Sequence, residues 1–300
     1  MIVVTGATGH TGRTTAEILL ARGQKVRALG RTAAKLEALT GRGAEAFPCD
    51  ILDVAALTKA FAGAESVYAM VPPDIKSEDV VGHYDRVAEA FVAAIKASGV
   101  RHVVTLSSVG AQLKSGTGPV LGLHRMEEKF NTIPHINVVH LRPASFMENN
   151  LAQIGVIQKF GRMAGIIKGD KRYPMIATKD IAAAAADALL LRDYAGNSVR
   201  ELLGQRDISA DETAKIIGAA IGKPDLSYME APTPMFSMGL RQMGMSANMA
   251  ELMVEMMQSI SGGAMNPEEP RTAANTTPTS FETFATEVFA PAFRGKAVSA

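Results

Sequence analysis

MIVVTGATGHTGR, residues 1–13, joins a short β-branched run to three glycines spaced three residues apart. The run is typical of a buried strand, and residues 14–21 continue in a helical pattern. In a strand–turn–helix unit, Gly6 allows the sharp turn, Gly9 lets a pyrophosphate approach the backbone, and Gly12 lets the helix pack on the strand. The N-terminus of the helix then offers its N–H groups to the anion.

We therefore predict a dinucleotide-binding site at this turn. Its predicted contact residues are Gly6, Thr8, Gly9, His10, Thr11 and Gly12. The alternative is a tight turn that binds nothing. Three glycines at this spacing disfavour it, because each glycine costs conformational entropy on folding.

Strands and helices alternate regularly in the first half of the chain. Strand candidates lie at residues 2–5, 25–29, 44–47, 66–70, 102–107 and 137–141, with helical patterns between them. Such alternation predicts an α/β fold, a doubly wound parallel sheet of the Rossmann type. We predict a dinucleotide-binding domain at residues 1–143 and a smaller substrate-facing part at residues 144–300, interwoven with the first.

The second part is predicted to be mostly helical. Helical stretches lie at about residues 145–163, 180–192, 209–221, 234–260 and 280–293, with short strands near 199–203 and 226–229. Residues 262–278 are rich in Gly, Pro, Asn and Thr without periodicity, which predicts a mobile loop. Thr178 or Asp180 is expected to cap the second of these helices.

The end of the second predicted strand carries cations and no carboxylate. Dinucleotide folds usually place an acidic residue about 20 positions after the glycine turn, on the ribose 2′-hydroxyl. Here Gly30 is followed by Arg31, and Lys35 lies one helical turn later. Arg31 can bind a 2′-phosphate through paired hydrogen bonds, and Arg13 could reach the same group. The pattern favours NADP(H) over NAD(H); a solvated basic helix start is the alternative.

Composition excludes several classes of protein. The 300 residues are 47% hydrophobic and 20% charged, as in a globular domain. A net charge of +1 gives no support for nucleic-acid binding, and no apolar run reaches the ~18 residues of a membrane span. A single cysteine, Cys49, excludes an internal disulfide and fits a reducing compartment. We expect a cytoplasmic protein with no metal site and no membrane contact.

Further nucleotide contacts are expected where other strands end, since ligands bind beyond the carboxyl ends of parallel strands. Asp50 and Ile51 are predicted to face the adenine, although a turn or helix cap would explain Asp50 equally well. Adenosine and the nicotinamide ribose are predicted to lie against Met70, Val71 and Pro72. The nicotinamide pocket is predicted to include Pro143 and Phe146. Arg142 and Glu148 are candidates for a fixed pair that shapes this loop, and two solvated charges are the alternative.

The fifth strand and the next helix resemble the short-chain dehydrogenase/reductase superfamily, with one departure. The strand ends in Ser107 and Ser108, where that superfamily places a serine or threonine. The superfamily's tyrosine and lysine are replaced by His124 and Glu128. Together with Leu-Arg-Pro-Ala-Ser-Phe-Met-Glu-Asn at residues 141–149, these residues resemble the NmrA-like atypical short-chain reductases.

That resemblance implies one of two functions. The family includes NAD(P)H-dependent reductases of quinones and azo compounds, and also redox sensors that bind a dinucleotide without turnover. We favour a reductase of a small apolar or aromatic acceptor; an isomerase using bound NAD is disfavoured by the missing tyrosine and lysine. His124 is the candidate proton donor, with Glu128 holding its ring and Ser107 and Ser108 near the reacting groups. The alternative is that His124 packs or bonds the cofactor ribose.

Ten methionines lie between Met229 and Met265, several at helical spacing. Methionine adapts to irregular apolar surfaces, so this segment could form a lid over an apolar substrate. An ordinary core or a dimer face is the competing interpretation. The expected partner is a small molecule, and a homodimer is left open.

Overall fold

A seven-stranded parallel sheet forms the centre of the molecule. The computed structural model describes residues 1–295. The sheet contains β1 (Ile2–Val4), β2 (Val26–Gly30), β3 (Glu45–Pro48), β4 (Ser66–Ala69), β5 (His102–Leu106), β6 (Asn137–Pro143) and β10 (Asn197–Leu202). Their spatial order is β10-β6-β5-β4-β1-β2-β3, and neighbouring strands pair in parallel. The predicted Rossmann-type fold is confirmed.

Helices cover both faces of this sheet. The helices are α1 (His10–Ala21), α2 (Glu37–Thr40), α3 (Val54–Phe61), α4 (Val80–Ser98), α5 (Val120–Asn131), α6 (Gln153–Phe160), α7 (Thr178–Leu191), α8 (Ala210–Ile221), α9 (Thr233–Gln242), α10 (Ala247–Gly262), α11 (Phe281–Phe284) and α12 (Ala290–Phe293). One core lies between the sheet and α1 and α7, and another between the sheet and α3, α4 and α5. None of the helices in residues 1–295 is long and apolar enough to cross a membrane.

Successive residues of each strand enter opposite cores, which explains why the strands are apolar throughout. Val3 and Val103 belong to the core beneath α4, whereas Val4 and Val104 belong to the core beneath α1 and α7. A sheet buried on both faces needs apolar residues at consecutive positions, not alternating ones.

The smaller C-terminal part combines helices with two short sheets. Its strands are β7 (Ser145–Phe146), β8 (Met163–Gly165), β9 (Arg172–Ile176), β11 (Asp207–Ser209) and β12 (Tyr228–Glu230). They form the sheets β11-β9-β7 and β12-β8. Three buried aromatic residues, Phe281, Phe284 and Phe289, form the centre of the core that joins α8, α11 and the following residues. The sequence did not predict β9 or β11.

Three predicted elements need correction. Residues 145–163 are not one helix, because β7 precedes α6 and β8 follows it. The predicted helix 234–260 is two helices, because Gly244 has a positive φ of 90° and Ser246 caps α10 by accepting from the Met249 N–H. The strand predicted near 199–203 in the smaller part is β10, which extends the large sheet beside β6.

A buried histidine lies inside β6. His140 is 1% exposed, and its ring contacts the Thr105 hydroxyl at 2.7 Å and the Asn131 side-chain oxygen at 3.1 Å. Burial lowers the pKa of His140 to about 4, since the imidazolium would lose its hydration. Folding therefore holds this ring neutral at pH values where an unfolded chain protonates it.

This neutral ring predicts a specific loss of stability in acid. Between about pH 6.5 and pH 4, the unfolded chain binds a proton at His140 that the folded chain does not, so the free energy of unfolding should fall by about 2–3 kcal/mol. Urea unfolding at pH 7, 5 and 4 should show this fall in the wild type and a smaller fall in His140→Gln. His135→Asn, at an exposed histidine, is the control. Parallel pH profiles for wild type and His140→Gln would contradict the assignment.

Candidate functional site

The glycine turn lies at the carboxyl end of β1, and two of its glycines are required by the fold. Gly6 has a φ of +62°, a left-handed conformation that side chains rarely adopt. A Cβ at Gly12 would lie 2.7 Å from the Gly6 carbonyl carbon and 2.9 Å from the Thr5 carbonyl oxygen. Helix α1 can approach β1 this closely only because residue 12 has no side chain.

Gly9 is different, because none of the atoms described for residues 1–295 excludes a side chain there. A Cβ at Gly9 would meet the Gly6 oxygen at 3.5 Å and the Met70 methyl group at 3.7 Å, which are ordinary contact distances. Gly9 is also the N-cap of α1 and provides no side-chain cap. The glycine at this position therefore keeps space open outside the chain, as close approach of a ligand requires.

The first turn of α1 has unused donors beside Gly9. Within residues 1–295, the N–H groups of His10, Thr11 and Gly12 have no hydrogen-bond acceptor, whereas the Arg13 N–H donates to the Gly9 carbonyl. Free N–H groups and the positive end of the helix dipole favour an anion at this place. The residues present fit the pyrophosphate of a dinucleotide.

Thr8 and Thr11 have separate positions in the turn. Thr8 is exposed and its methyl group packs against the end of β2, 3.0 Å from where a Cβ at Gly30 would lie. Thr11 is buried, and its hydroxyl accepts from Tyr68 at 3.3 Å. Thr8 therefore faces the solvent side of the predicted site, whereas the Thr11 side chain faces the sheet and only its N–H is directed to the turn.

Two cations follow β2 without protein partners in the described part of the chain. Arg31 and Lys35 are exposed, and neither forms an ion pair or side-chain hydrogen bond there. Arg13 is less available than the sequence suggested, because it pairs with Glu17 at 3.2 Å. The end of β2 thus offers positive charge from Arg31 and Lys35, suited to a phosphate.

Residues after β3 and β4 have clear structural contacts. The Asp50 carboxylate accepts from the Leu52 N–H at 3.0 Å, which shows the turn role weighed from the sequence; contact with adenine stays a prediction. Ile51 packs against the core beneath α3 and α4. The Met70 N–H donates to the Thr5 hydroxyl at 3.0 Å. The Met70 bond joins the end of β4 to the end of β1 at the carboxyl edge of the sheet.

The same edge continues at the residues after Met70. Val71 is buried in the core beneath α4, and the Pro72 carbonyl lies 2.9 Å from Nε2 of His83. The chain after β4 is therefore tied to α4. Its backbone is placed beside the glycine turn, where the predicted ribose contacts would be made.

Ser107 and Ser108 follow β5, and their hydroxyl groups have different partners. Ser107 is 3% exposed and donates to Glu127 at 2.5 Å. Ser108 is half-buried and donates to the Val109 carbonyl at 2.9 Å. Since Ser107 is nearly closed to solvent, Ser108 is the hydroxyl that this strand end presents.

His124 lies against the loop that follows β5. Its Nδ1 is 2.8 Å from the Ala111 carbonyl oxygen, and its Nε2 is 3.5 Å from Glu128. A carbonyl only accepts hydrogen bonds, so Nδ1 carries the proton of the neutral ring and Nε2 is left as an acceptor. The predicted closeness of His124 and Glu128 is present, and the two form an ion pair only when the ring is doubly protonated. The bond to Ala111 also ties the ring to the loop.

Sequence reasoning missed the buried carboxylate of this helix, which is Glu127. Arg142 donates to both oxygens of Glu127, at 2.9 and 2.6 Å, and to Glu268 at 2.5 Å. The expected pairing of Arg142 with Glu148 is therefore wrong. Glu127 falls on the buried face of α5, beside Met126 and one turn before Phe130. A charge on an apolar face was the signal that could have identified it.

Glu148 instead caps α7 from a distance. Its carboxylate accepts from the Thr178 N–H at 3.0 Å and from the Thr178 hydroxyl at 2.7 Å. Neither Thr178 nor Asp180 caps the helix through its own side chain, contrary to the prediction. The Asp180 carboxylate accepts from the Thr279 N–H and hydroxyl, at 3.0 and 2.7 Å. Both acids join distant segments, so local spacing could not show their roles.

Residues 263–280 form a strap across the ends of β6 and β10. Glu201 of β10 accepts from the N–H groups of Glu268 and Glu269, at 2.9 and 3.0 Å. The Leu203 N–H donates to the Asn275 carbonyl at 2.8 Å. The prediction of a mobile loop overlooked these ties, which link the strap to strands far away in sequence.

Pro143 and Phe146 lie between these groups and the smaller part. Pro143 is buried, and its carbonyl accepts from the Val109 N–H at 3.0 Å. Phe146 is half-buried in β7 and packs against the core beneath α7. Their contact with a nicotinamide stays a prediction.

The methionine-rich segment contacts the loops that follow β4 and β5. The Ser246 N–H donates to the Ile75 carbonyl at 2.9 Å, and a Cβ at Gly118 would overlap the carbonyl oxygen of Leu252 in α10. Met249 is buried in the core beneath α4. On and after α9, three methionines remain more than half exposed, at 54%, 55% and 56%: Met235, Met238 and Met243. The segment therefore has both a core face and an open apolar face.

No metal site accompanies these groups. Among residues 1–295, no cluster of three or more His, Cys, Asp or Glu side chains is placed to hold an ion.

Comparison with known proteins identifies a family and relatives that are named as reductases. A model of the NmrA-like family matches residues 1–285. The chain is 27% identical over 258 residues to the NAD(P)H azoreductase of Xenophilus azovorans, covering 85% of this chain and 86% of that protein. It is 30% identical over 227 residues to the (4-alkanoyl-5-oxo-2,5-dihydrofuran-3-yl)methyl phosphate reductase of Streptomyces griseus, covering 75% of each.

A solved structure shares the fold. The NADPH-dependent quinone oxidoreductase QOR2 of Escherichia coli, complexed with NADPH, superimposes with a TM-score of 0.75. The two chains are 24% identical, and the match covers 100% of this chain and 96% of that chain.

Because Gly12 and Gly9 have different roles in the turn, alanine at the two positions should change the free energy of unfolding by different amounts. Gly12→Ala should lower the free energy of unfolding by about 2–3 kcal/mol, because its Cβ forces α1 away from β1. Gly9→Ala should leave it nearly unchanged, since the methyl group has room. Urea unfolding of the two variants without ligand tests this, and equal losses would contradict the assigned geometry.

Proposed function

The chain belongs to the NmrA-like family, and we propose that it is an NADPH-dependent reductase of a small apolar or aromatic acceptor, quinone-like or azo-like. The observation that carries the proposal is the open N-terminus of α1 at Gly9, together with two cations at the end of β2, Arg31 and Lys35, whose side chains have no partner within residues 1–295. Relatives named as reductases, at 27% and 30% identity, support the same conclusion.

Each part of the nucleotide has candidate residues at the carboxyl edge of the sheet. The N–H groups of His10, Thr11 and Gly12 would hold the pyrophosphate. Arg31 and Lys35 would hold the 2′-phosphate, which NADPH has and NADH lacks. Asp50 and Ile51 are proposed for the adenine side, and the chain from Met70 to Pro72 for the ribose.

Bound NADPH would supply a hydride, and the protein's part is to orient the acceptor and exclude water. The segment around α10 suits an apolar acceptor, because it lies across the loops after β4 and β5 and is rich in methionine. Methionine side chains adapt to flat or irregular apolar molecules.

His124 is proposed as the proton donor, with Ser108 as a hydrogen-bonding group beside it. The single N–H of the neutral His124 ring donates to the Ala111 carbonyl. The ring can therefore donate from Nε2 only when it is doubly protonated.

The decisive experiment measures NADPH oxidation against a panel of quinones, azo dyes and simple carbonyl compounds. The proposal expects turnover with at least one apolar acceptor, and Gly9→Val should abolish NADPH binding while remaining folded. A wild-type protein that binds NADPH and reduces no member of the panel would favour a dinucleotide sensor without turnover.

Arg31→Ala should change cofactor preference. We expect NADPH affinity to fall about tenfold or more, the effect of losing a charge-assisted hydrogen bond, and NADH affinity to change little. Titration calorimetry with both cofactors is the measurement. Arg101→Ala, an exposed arginine just before β5 at the opposite edge of the sheet, is the control. Equal losses for both cofactors would place the 2′-phosphate elsewhere.

His124→Ala should separate acceptors that need a proton from the protein from those that take it from water. Turnover of an azo acceptor should fall about 10²-fold or more, as for loss of a general acid. Turnover of a quinone should change little, because water can protonate the reduced product. Steady-state rates with both kinds of acceptor would show this, with His135→Asn as control. Similar rates for wild type and variant with every acceptor would reject His124 as the acid.

A further inference from the structure

One buried carboxylate joins the carboxyl ends of β5 and β6. Glu127 of α5 accepts from the Ser107 hydroxyl at 2.5 Å and from Nε and Nη2 of Arg142 at 2.9 and 2.6 Å. Arg142 also donates through Nη1 to Glu268 of the strap at 2.5 Å. Glu127 and Arg142 are both buried. Glu127 thus binds Ser107 and Arg142 directly, and Arg142 in turn ties the strap to β6.

The partners of this carboxylate decide which way each hydrogen bond runs. Both oxygens of Glu127 accept from the Arg142 guanidinium, which has donors only. The Ser107 hydroxyl must therefore donate to Glu127. The direction of the Ser107 side chain is fixed, and with it the backbone that leads into Ser108 and the loop at Ala111.

The order of strands places Glu127, Ser107 and Arg142 at one end of the proposed nucleotide site. The glycine turn follows β1, and Arg31 follows β2. β4 and β5 lie on the other side of β1, so β5 is two strands, or about 10 Å, away from the turn. With the 2′-phosphate near β2, the nicotinamide half must extend over β4 and β5. Glu127 acts on this half and lies far from the adenosine.

We propose that Glu127 is a positioning residue for the nicotinamide half of the NADPH site. It acts through Ser107 and Arg142, which together hold the ends of β5 and β6 in the arrangement that receives this half. The inference rests on the proposed function for its nucleotide. It assigns no contact between Glu127 and the cofactor.

A purely space-filling role would not need these residues. Buried ion pairs add little net stability compared with well-packed apolar side chains, because both charges lose their hydration. The pair fixes the orientation of the Glu127 carboxylate, since it accepts two hydrogen bonds from a planar guanidinium. A positioning role and a merely structural role therefore differ in what a near-isosteric substitution changes.

Glu127→Gln is the first test, and it uses binding and not turnover. Two ligands are compared by calorimetry: NADPH, and adenosine 2′,5′-bisphosphate, which lacks the nicotinamide and its ribose. We expect the variant to bind NADPH about tenfold more weakly, the effect of one lost charged hydrogen bond, and to bind the bisphosphate like wild type. Equal weakening of both ligands, or no weakening of NADPH in a folded variant, would overturn the proposal.

Ser107→Ala is the second test, because it keeps the ion pair and is the safer variant for folding. It should also weaken NADPH binding selectively, by about threefold to tenfold. In a Ser107→Ala background, Glu127→Gln should have a smaller effect than in wild type if the two act together. Fully additive effects would contradict action through Ser107. Glu89→Gln, which breaks the exposed pair with Lys129, is the matched control and should change neither affinity.

These outcomes are distinguishable from a failure of the proposed function. A wild-type protein that binds NADPH but reduces no acceptor is not a reductase, yet the two-ligand comparison still decides the role of Glu127. A wild-type protein that binds neither NADPH nor the bisphosphate would overturn both.

Discussion

The close packing of α1 against the end of β1 is the constraint on which the candidate site, at the carboxyl edge of the sheet, depends. Gly12 lies so near the backbone of Thr5 and Gly6 that no side chain fits between them. This contact fixes the N-terminus of α1 at the carboxyl edge of the sheet, with three N–H groups left without acceptors in the described chain. An anion-binding position follows directly from the packing of a helix on a strand. Gly9, which the fold itself does not require, then leaves room for the ligand.

On the β5, β6 and β10 side of the sheet, buried carboxylates and not close backbone packing hold the segments together. Carboxylates of Glu127, Glu201 and Asp180 each join segments distant in sequence, and each accepts two or more hydrogen bonds. A strap with little regular structure is held in this way across the ends of β6 and β10. Such bonds have fixed directions, unlike apolar contacts, so they orient the loops that line a site.

The region beyond β5 departs from the tyrosine and lysine arrangement of the wider superfamily, and its chemistry must be argued from its own residues. Ser107 is occupied by Glu127, and His124 is held by the Ala111 carbonyl. Neither is arranged as a simple substitute for a tyrosine that gives a proton to a carbonyl oxygen. An acceptor that can take its proton from water suits this arrangement, which is one reason to favour quinone-like compounds.

The sequence by itself determined the parallel sheet and the glycine turn after β1, because both depend on residues close together in the chain. Strand runs, helical periodicity and the spacing of Gly6, Gly9 and Gly12 are local signals, and the structure agrees with them. Local signals failed where the partner is distant. Arg142 pairs with Glu127 and not Glu148, β10 joins the large sheet, and the strap is tied to Glu201. Only the tertiary structure decides these contacts, because a buried charge takes the partner that packing brings within reach, whatever their separation in sequence.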